Sequence, residues 1–287
     1  MSNYRIITDS CCDLPKEFIQ QHNLAVVPLY LQWNGRSYQD GEGFDMKDLY
    51  AGLRAGQVIT TAAVNPGQWT QYMEPVLKQG QDVLVLAFSS GLSTTYQSAC
   101  IAASDLGIRY PQRKIRVIDT RCASLGQGLY VWYALKKQEE GLELDALVTY
   151  LEELKPRLCH WFTVDDLMYL KRGGRVSAAT ALVGTMLQIK PVLHTDDEGH
   201  LINMGKARGR KASIEALCKK MEELGLPGEN STVFICHGDC IEDANYLANL
   251  VRDRCGVKEV LIGYTGSVIG AHSGPGTLAL FFLGKHR

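Results

Sequence analysis

The stretch Val83-Leu84-Val85-Leu86-Ala87-Phe88-Ser89-Ser90-Gly91-Leu92-Ser93-Thr94-Thr95 decides the fold class of this chain. Its first six residues are continuously apolar, which is typical of a strand buried on both faces of a sheet. Hydroxyl residues follow, and they lead into a helical pattern that we place at about residues 94–106. A buried strand, a short turn and a helix together form the repeating unit of a parallel α/β sheet.

Similar units precede and follow this stretch. We predict strands at residues 4–8 and 115–118 and helices at about 14–22 and 124–140, with Asp13 as the N-cap of the first helix. Residues 32–66 are polar and contain glycine, and their pattern fits neither a helix nor a strand. A helix at about 144–154 ends before Lys155-Pro156, so we place the boundary between two domains, 1–155 and 156–287, at this point.

The second half of the chain has a different pattern. The hairpin signature consists of residues 190–195, the turn residues Asp196-Asp197-Glu198-Gly199 and residues 200–205, and it predicts a β-hairpin. Strands at 231–236 and 259–264 alternate with helices at about 212–224 and 242–254, and the apolar run 277–283 predicts an inner strand. We therefore expect an α/β protein with an N-terminal three-layer domain built on a parallel sheet and a C-terminal α+β domain with a mixed sheet.

Charge and composition exclude several classes of protein. The 287 residues include 30 basic and 31 acidic ones, a balance that does not suit a protein that coats nucleic acid or an anionic membrane. The first residues lack the apolar core of a signal peptide, and no apolar run approaches the roughly 18 residues of a membrane helix, so we expect a cytoplasmic protein without an integral membrane segment.

The nine cysteines are odd in number and scattered, which favours reduced thiols. Cys236, His237 and Cys240 lack a second pair of ligands, so we expect no metal.

The hydroxyl residues after the strand at 83–88 form the first candidate site. In open α/β sheets, ligands bind beyond the carboxyl ends of the strands, where helix N-termini point. We therefore expect the loops at 9–10, 89–95 and 119–120 to meet there. Residues 89–95 contain five Ser and Thr residues, more than one helix cap needs, and this favours an anion site over simple capping.

A serine nucleophile is the competing interpretation of the same loop. Gly91-Leu92-Ser93-Thr94-Thr95 approaches the Gly-x-Ser-x-Gly pattern of esterases, and His272 follows far downstream. Thr95 occupies the place of the second glycine, and the third member of a triad is not evident.

Nucleotide-binding motifs have even less support in this sequence. Gly126 and Gly128 lack the third glycine of a dinucleotide-binding motif and no P-loop pattern occurs, so we expect the chain by itself to bind no ATP.

Three further stretches of the second half combine glycine with basic residues or histidine. They are the loop 171–175, the turn-rich segment 269–276 with His272, and the basic run 206–211. Histidine among small residues before an inner strand can reach a cleft between domains. The basic run is either a solvated loop or a docking surface for an anionic or ATP-handling partner.

Taken together, these stretches resemble the DegV family, the fatty-acid-binding proteins that serve as the lipid-carrying subunit of bacterial fatty acid kinases. The resemblance covers nearly the whole chain, and it is specific because many short motifs occur in the same order and spacing. Its carriers are Thr8-Asp9-Ser10, Asp13-Leu14-Pro15, Thr60-Thr61, residues 89–99, Asp119-Thr120 with Gly126 and Gly128, residues 171–177, Lys190-Pro191-Val192-Leu193, residues 206–212 and residues 269–276.

The resemblance implies a long acyl chain buried between the two domains, with its carboxylate held by hydroxyls and a histidine, and no cofactor. Carried over by position, the ligand-binding residues are Thr61, Ser93 and His272, with Asp9, Ser10, Ser90, Gly91, Thr95, Arg175, Ser273 and Gly274 around them. Lys206, Arg208 and Arg210 would face an ATP-binding fatty acid kinase subunit that phosphorylates the acid. The chain itself would be a non-catalytic protein and a monomer when free.

This sequence departs from the family pattern at two places near the expected carboxylate site. Ala62-Ala63-Val64 follows Thr61 where the family usually has Ser-Gln-Pro, and Thr94 stands where glycine is common. Two other functions remain open alongside the one that the resemblance implies. One is a serine esterase that uses Ser93 and His272, and the other is a regulatory protein in which a lipid is only a structural filler.

Overall fold

The computed structural model describes residues 3–177, 188–226 and 228–287. A parallel sheet of order β2-β1-β6-β7 contains β1 (Tyr4–Asp9), β2 (Ala25–Val27), β6 (Asp82–Ala87) and β7 (Ile115–Asp119). A mixed sheet of order β10-β9-β8-β13-β11-β12 contains β8 (Leu158–Thr163), β9 (Ile189–Thr195), β10 (Leu201–Arg208), β11 (Thr232–His237), β12 (Glu259–Tyr264) and β13 (Leu278–Leu283). The predicted fold class, a parallel-sheet domain followed by a mixed-sheet domain, is confirmed.

Six helices lie close to the predicted positions. They are α1 (Lys16–Gln21), α4 (Thr95–Arg109), α5 (Leu125–Glu139), α6 (Leu144–Leu154), α8 (Arg210–Leu224) and α9 (Ile241–Cys255). The described residues also contain helices that the sequence analysis did not predict, namely α2 (Met46–Arg54), α3 (Pro66–Lys78), α7 (Met168–Arg172) and α10 (Ser267–Ser273). A short 3-10 turn, Lys155–Arg157, separates α6 from β8. The boundary that we predict at residues 155 and 156 lies in this turn.

The segment that the sequence pattern left unassigned forms a third, small sheet. It has the order β4-β3-β5, with β3 (Tyr30–Trp33), β4 (Arg36–Gln39) and β5 (Thr60–Ala62). Asn34 and Gly35 form the two-residue turn between β3 and β4 with φ values of +50° and +73°. Asn-Gly is the sequence that this turn type favours, so a signal for the hairpin was present in the sequence. The sheet positions Thr61 on β5.

Helix α5 lies between the two large sheets and joins them. Residues 125–131 at its start are all buried, which matches a helix that is covered on every side. Leu125 and Leu129 belong to one apolar cluster with Tyr4 of the parallel sheet and with Phe234 and Phe281 of the mixed sheet. The two domains therefore share a hydrophobic core through α5.

The prediction that Asp13 caps the first helix is wrong. Asp13 has a φ of +52°, and α1 begins after Pro15 without a side-chain cap. The Asp13 carboxylate instead accepts a hydrogen bond from the backbone N–H of Gly266, at 2.9 Å, and another from the Ser124 hydroxyl. A contact between distant parts of the chain therefore takes the carboxylate away from its local role.

Candidate functional site

A cavity of about 510 Å³ lies between the two halves of the chain, within the roughly 300–1,000 Å³ typical of small-molecule sites. Its walls are largely apolar. The large apolar side chains that line it are Leu29, Phe88, Leu92, Phe162, Leu170, Leu201, Val268, Ile269 and Phe281. The polar lining residues include Thr61, Ser90, Ser93, Thr94, Gln97, Ser124, His160, Arg175, Thr195, Thr265, His272, Ser273 and Thr277.

The loop between β6 and α4 contributes hydroxyl groups to this cavity. Ser90 and Ser93 line the cavity, whereas Gly91 and Thr95 are not part of its lining. The Ser93 hydroxyl accepts a hydrogen bond from the backbone N–H of Thr95 at 3.2 Å and lies 2.9 Å from the Thr95 hydroxyl. The Ser90 hydroxyl donates to a carboxylate oxygen of Asp119 at 2.5 Å. These hydroxyls therefore shape the loop, and two of them also face the cavity.

The predicted meeting of three loops at the ends of β1, β6 and β7 is observed. One carboxylate oxygen of Asp9 accepts from the backbone N–H of Phe88 at 2.7 Å, and the Ser90–Asp119 contact joins β6 to β7. Asp9 is fully buried, and the Ser10 hydroxyl accepts from the backbone N–H of Leu29 at 3.0 Å. Neither Asp9 nor Ser10 lines the cavity, so these two expected ligand neighbours support the loops behind it.

Asp9 makes the stability of the fold depend on pH. Burial raises the pKa of its carboxyl from 3.8 to about 7, against the lowering effect of hydrogen bonds from Phe88, Gln127 and Cys11. Because the folded-state pKa lies above the unfolded one, the stability contributed by the protonated group is fully present below about pH 3.8 and is lost as the pH rises through about 7. We expect the free energy of unfolding of wild type, measured relative to Asp9→Asn by urea titration, to fall by about 2–4 kcal/mol between low and high pH across this window. A difference that does not change with pH would contradict this account.

Helix α10 and strand β5 bring His272 and Thr61 together in the lining of the cavity. The Thr61 hydroxyl lies 2.7 Å from Nε2 of His272. Burial, with a smaller effect of the Arg175 cation, lowers the pKa of His272 to about 4, so the imidazole is neutral near pH 7. A Cβ at Gly173 would lie 2.3 Å from Nδ1 of His272, so only glycine permits this approach of the basic loop to the ring.

Arg175 places a positive charge beside His272. Its Nε donates to the carbonyl of Leu92 at 3.1 Å, its guanidinium also donates to the carbonyl of Gly173, and burial lowers its pKa. Within the parts of the chain that the structure describes, Arg175 forms no salt bridge, and the buried Ser273 hydroxyl has no hydrogen-bond partner. Gly274 follows Ser273 but does not line the cavity. A cation, a hydroxyl and further hydrogen-bonding groups in the lining of a largely apolar cavity suit an organic anion.

Relatives of known family share both the sequence and the architecture of this chain. A family model described as "Uncharacterised protein, DegV family" matches residues 3–285. The chain belongs to the DegV family. A DegV domain-containing protein of Clostridium perfringens is 43% identical over 286 residues, which cover 99% of this chain and 98% of that relative. The resemblance that the motifs indicated is therefore confirmed.

Solved structures of other DegV proteins are similar over their whole length. A DegV family protein from Thermus thermophilus, described for its fatty acid binding, is 32% identical with a TM-score of 0.88, over 98% of this chain and 99% of its own. A DegV lipid binding protein from Thermotoga maritima is 30% identical with a TM-score of 0.85, over 100% of both chains. A stearic acid-binding protein from Eubacterium ventriosum is 25% identical with a TM-score of 0.87, over 98% of both chains.

The geometry of this DegV chain does not assemble the serine esterase triad that the sequence left open. The Ser93 hydroxyl contacts Thr95, and Nε2 of His272 contacts Thr61. Nδ1 of His272 faces Gly173, and none of the hydrogen bonds or ion pairs seen in the described ranges joins this ring to a carboxylate. An esterase needs the histidine between the serine and an acid, and both contacts go elsewhere here.

The cysteine and histidine side chains near the end of β11 point to different surroundings. Cys236 lines the cavity and accepts a hydrogen bond from the Thr265 hydroxyl at 3.2 Å, whereas Nδ1 of His237 accepts from the backbone N–H of Cys240 at 3.2 Å. The residues that the structure describes contain no group of three or more His, Cys, Asp or Glu side chains suited to a metal ion. In the same residues, no helix combines the length and the apolar character needed to span a bilayer.

The three basic residues expected at a partner surface differ in their surroundings. Lys206 and Arg208 are exposed on β10, an edge strand of the mixed sheet. Arg210, at the start of α8, forms salt bridges with Asp243 at 2.8 Å and Asp165 at 3.8 Å. Among the described residues, Lys206 and Arg208 form no salt bridge, whereas Arg210 is held by two.

Sequence reasoning missed a strand that contributes two residues to the cavity wall. Strand β8 has the sequence Leu-Cys-His-Trp-Phe-Thr, and all six residues are buried. Its His160 and Phe162 line the cavity, as do Ser124 and Thr265 from connecting segments. The aromatic and β-branched residues of β8 carried a strand signal, but nothing in the sequence showed which of its faces meets a ligand.

Proposed function

We propose that this chain binds a long-chain fatty acid, with the tail in the cavity and the carboxylate held near Thr61, Ser93, Arg175, His272 and Ser273. The observation that carries the proposal is that Arg175 and Ser273 both line a largely apolar cavity, while within the described ranges the Arg175 cation forms no salt bridge and the Ser273 hydroxyl has no hydrogen-bond partner. A carboxylate there would pair the cation and use the free donors. The fatty-acid-binding DegV relatives support the same ligand class.

The energetics of an acyl tail fit an enclosed apolar cavity. Each buried methylene contributes about 0.8 kcal/mol, so a tail of about sixteen carbons gains roughly 12 kcal/mol before the costs of ordering are subtracted. Transfer of a carboxylate from water into the cavity without hydrogen-bond partners would cost several kcal/mol of binding free energy. Hydrogen-bond donors in the cavity lining are therefore needed to offset this cost. Apolar burial therefore provides affinity, and the polar end fixes the direction of the ligand.

We further propose that the protein presents the carboxylate to a separate ATP-binding kinase subunit, which phosphorylates it to an acyl phosphate. The sequence contains no P-loop, and Ser93 and His272 are arranged as hydrogen-bonding groups, so the chain itself acts as a lipid carrier. In this proposal it works in the cytoplasm as a monomer when free. The boundary between its two domains is placed at residues 155 and 156, with the ligand between them.

Mass spectrometry of the purified protein tests the central proposal. Native spectra and spectra after organic extraction are expected to show about one fatty acid per chain that leaves with the solvent. A protein that is purified empty and that also takes up no added hexadecanoic or octadecenoic acid would overturn the proposal.

A fluorophosphonate probe separates the carrier from the esterase. We expect no covalent labelling of Ser93, because an unactivated serine hydroxyl is a poor nucleophile. A serine hydrolase labelled in the same experiment serves as the positive control. Stoichiometric labelling that disappears in Ser93→Ala would favour the esterase instead.

Arg208→Ala is expected to separate lipid binding from use by the kinase. Arg208 is exposed on β10 and does not line the cavity, so the bound fatty acid should be unchanged while acyl phosphate formation by an added kinase subunit falls several-fold. Arg36→Ala, an exposed arginine of the small sheet, is the matched control and should leave both quantities unchanged. Equal kinase rates for Arg208→Ala and wild type would remove β10 from the partner surface.

A further inference from the structure

Helix α10 forms part of the cavity wall and carries two of the residues proposed to hold the carboxylate. Its residues Val268, Ile269, His272 and Ser273 line the cavity. The helix has only seven residues, Ser267–Ser273, and isolated helices of this length are not stable in water. The positions of His272 and Ser273 therefore depend on contacts between α10 and other elements.

Two carboxylates from the N-terminal half of the chain hold the start of α10. Asp13 accepts a hydrogen bond from the backbone N–H of Gly266 at 2.9 Å. One oxygen of Asp40, Oδ1, accepts from the backbone N–H of Val268 at 3.3 Å and from the Ser267 hydroxyl. The N–H groups of a first helical turn have no partner within the helix, so these side chains provide partners that α10 itself lacks.

This arrangement costs more folding free energy than an ordinary helix cap. Burial raises the pKa of both carboxyl groups, and the negative charge of Asp40 raises the pKa of Asp13 further. Oδ1 of Asp13 and Oδ2 of Asp40 are buried and have no hydrogen-bond partner among the residues that the structure describes. A serine or threonine cap would satisfy N–H groups without burying two charges. The cost favours a role for these carboxylates beyond capping.

The glycines of this segment hold α10 close to the N-terminal half of the chain. Gly266 and Gly270 are four residues apart, about one helical turn. A Cβ at Gly266 would lie 2.2 Å from Oδ1 of Asp13, and a Cβ at Gly270 would lie 2.5 Å from the hydroxyl oxygen of Tyr50. The Tyr50 hydroxyl also donates to the carbonyl of Thr265 at 2.7 Å. Close packing and the two carboxylates together determine where α10 lies.

We propose that Asp13 and Asp40 are positioning residues of the carboxylate site, which fix α10 so that His272 and Ser273 reach a bound carboxylate. Neither residue lines the cavity, so both act through α10 and not by contact with the ligand. The effect on fatty acid binding rests on the proposed function, whereas the effect on the position of His272 does not.

A comparison of Asp40→Ala with Asp40→Asn in the delipidated full-length protein tests this inference. Both hydrogen bonds from α10 end on Oδ1 of Asp40, so asparagine can keep them through its amide oxygen, whereas alanine loses them. We expect Asp40→Ala to bind hexadecanoic acid about 5- to 30-fold more weakly than wild type, and Asp40→Asn to bind it within about twofold of wild type.

The imidazole nitrogen signals of His272 in NMR spectra report on its position without a ligand. They are assigned by their absence from the spectrum of His272→Ala. We expect these signals to shift in ligand-free Asp40→Ala and to return to the wild-type positions in Asp40→Asn. Asp13→Gly should shift them as well, and glycine suits this position because φ of Asp13 is +52°.

Asn65→Ala is the matched control for a loss of stability alone. Asn65 caps α3 by accepting from the backbone N–H of Gln68 at 3.0 Å, and it does not line the cavity. Its replacement should lower the thermal midpoint and leave the affinity and the His272 signals unchanged. Changes in Asn65→Ala equal to those in Asp40→Ala would overturn the positioning role, because lost stability would then explain both.

Each other outcome overturns a stated part of the argument. A folded Asp40→Ala protein with wild-type affinity and wild-type His272 signals would overturn the positioning role. Asp40→Asn that behaves like Asp40→Ala would overturn the assignment to hydrogen bonds. If Asp40→Ala does not fold, Ser267→Ala, which removes one of the same hydrogen bonds, decides by the same two measurements. Shifted His272 signals in a protein whose wild type binds no fatty acid would overturn the proposed function and leave the positioning of α10 intact.

Discussion

Replacing Ala279 by phenylalanine is expected to abolish retention of a fatty acid while the chain stays folded. Ala279 is the second residue of β13, it lies between Phe162 on β8 and Cys236 on β11, and it lines the cavity. A phenyl ring at this position would occupy the space where the acyl tail is proposed to lie. Because the new ring enters an existing cavity of about 510 Å³, it does not have to displace packed neighbours, and the thermal midpoint should change little.

The measurement is the amount of fatty acid extracted per chain, with circular dichroism as the test of folding. Ala279→Val is the graded control, because its two added methyl groups should narrow the cavity and shift the retained acids towards shorter chains. A folded Ala279→Phe protein that carries wild-type amounts of a long-chain acid would show that the tail lies elsewhere.

His272→Ala is expected to weaken fatty acid binding by about 10- to 100-fold, the range for loss of a hydrogen bond to a charged group. The ring lines the cavity beside Thr61 and Arg175, and alanine at this position removes both ring nitrogens. The measurement is the dissociation constant of the delipidated protein for hexadecanoic acid. A loss of the same direction is expected for Ser93→Ala.

His200→Ala is the matched control for His272→Ala. His200 follows the turn between β9 and β10, its side chain is 52% exposed, and it does not line the cavity, so its removal should leave the dissociation constant unchanged. Wild-type affinity in both His272→Ala and Ser93→Ala would remove these two residues from the carboxylate site.

The strands and helices with strong local patterns were predictable from the sequence. The apolar run that ends at Phe88, the hydroxyl loop after it and the hairpin around residues 196–199 were all found, because burial of a central strand and turn chemistry both leave signals within about ten residues. The motifs shared with the DegV family also placed Thr61, Ser93 and His272 in one candidate set before any geometry was known.

Other residues could be placed only by contacts between distant parts of the chain. Asp13 reads locally as a helix cap, but its carboxylate meets Gly266 and Ser124, more than a hundred residues away in the sequence. The sequence analysis expects Asp9 and Ser10 beside the ligand, but their side chains accept hydrogen bonds from the backbone of Phe88 and Leu29 and do not line the cavity. Local patterns carry no information on such contacts, because partners far apart in sequence are brought together by packing of whole elements.

The sequence by itself determined the strands and helices with strong local patterns, the fold class of the two domains and the family. The tertiary structure decided which side chains face the cavity, which cation lacks a partner and which carboxylates hold helix α10. The physical reason is that strand and helix signals arise from neighbours in sequence, whereas a cavity arises from surfaces that different elements leave uncovered when they pack. Strand β8 shows the difference, since all six of its residues are buried and yet only His160 and Phe162 of this strand line the cavity.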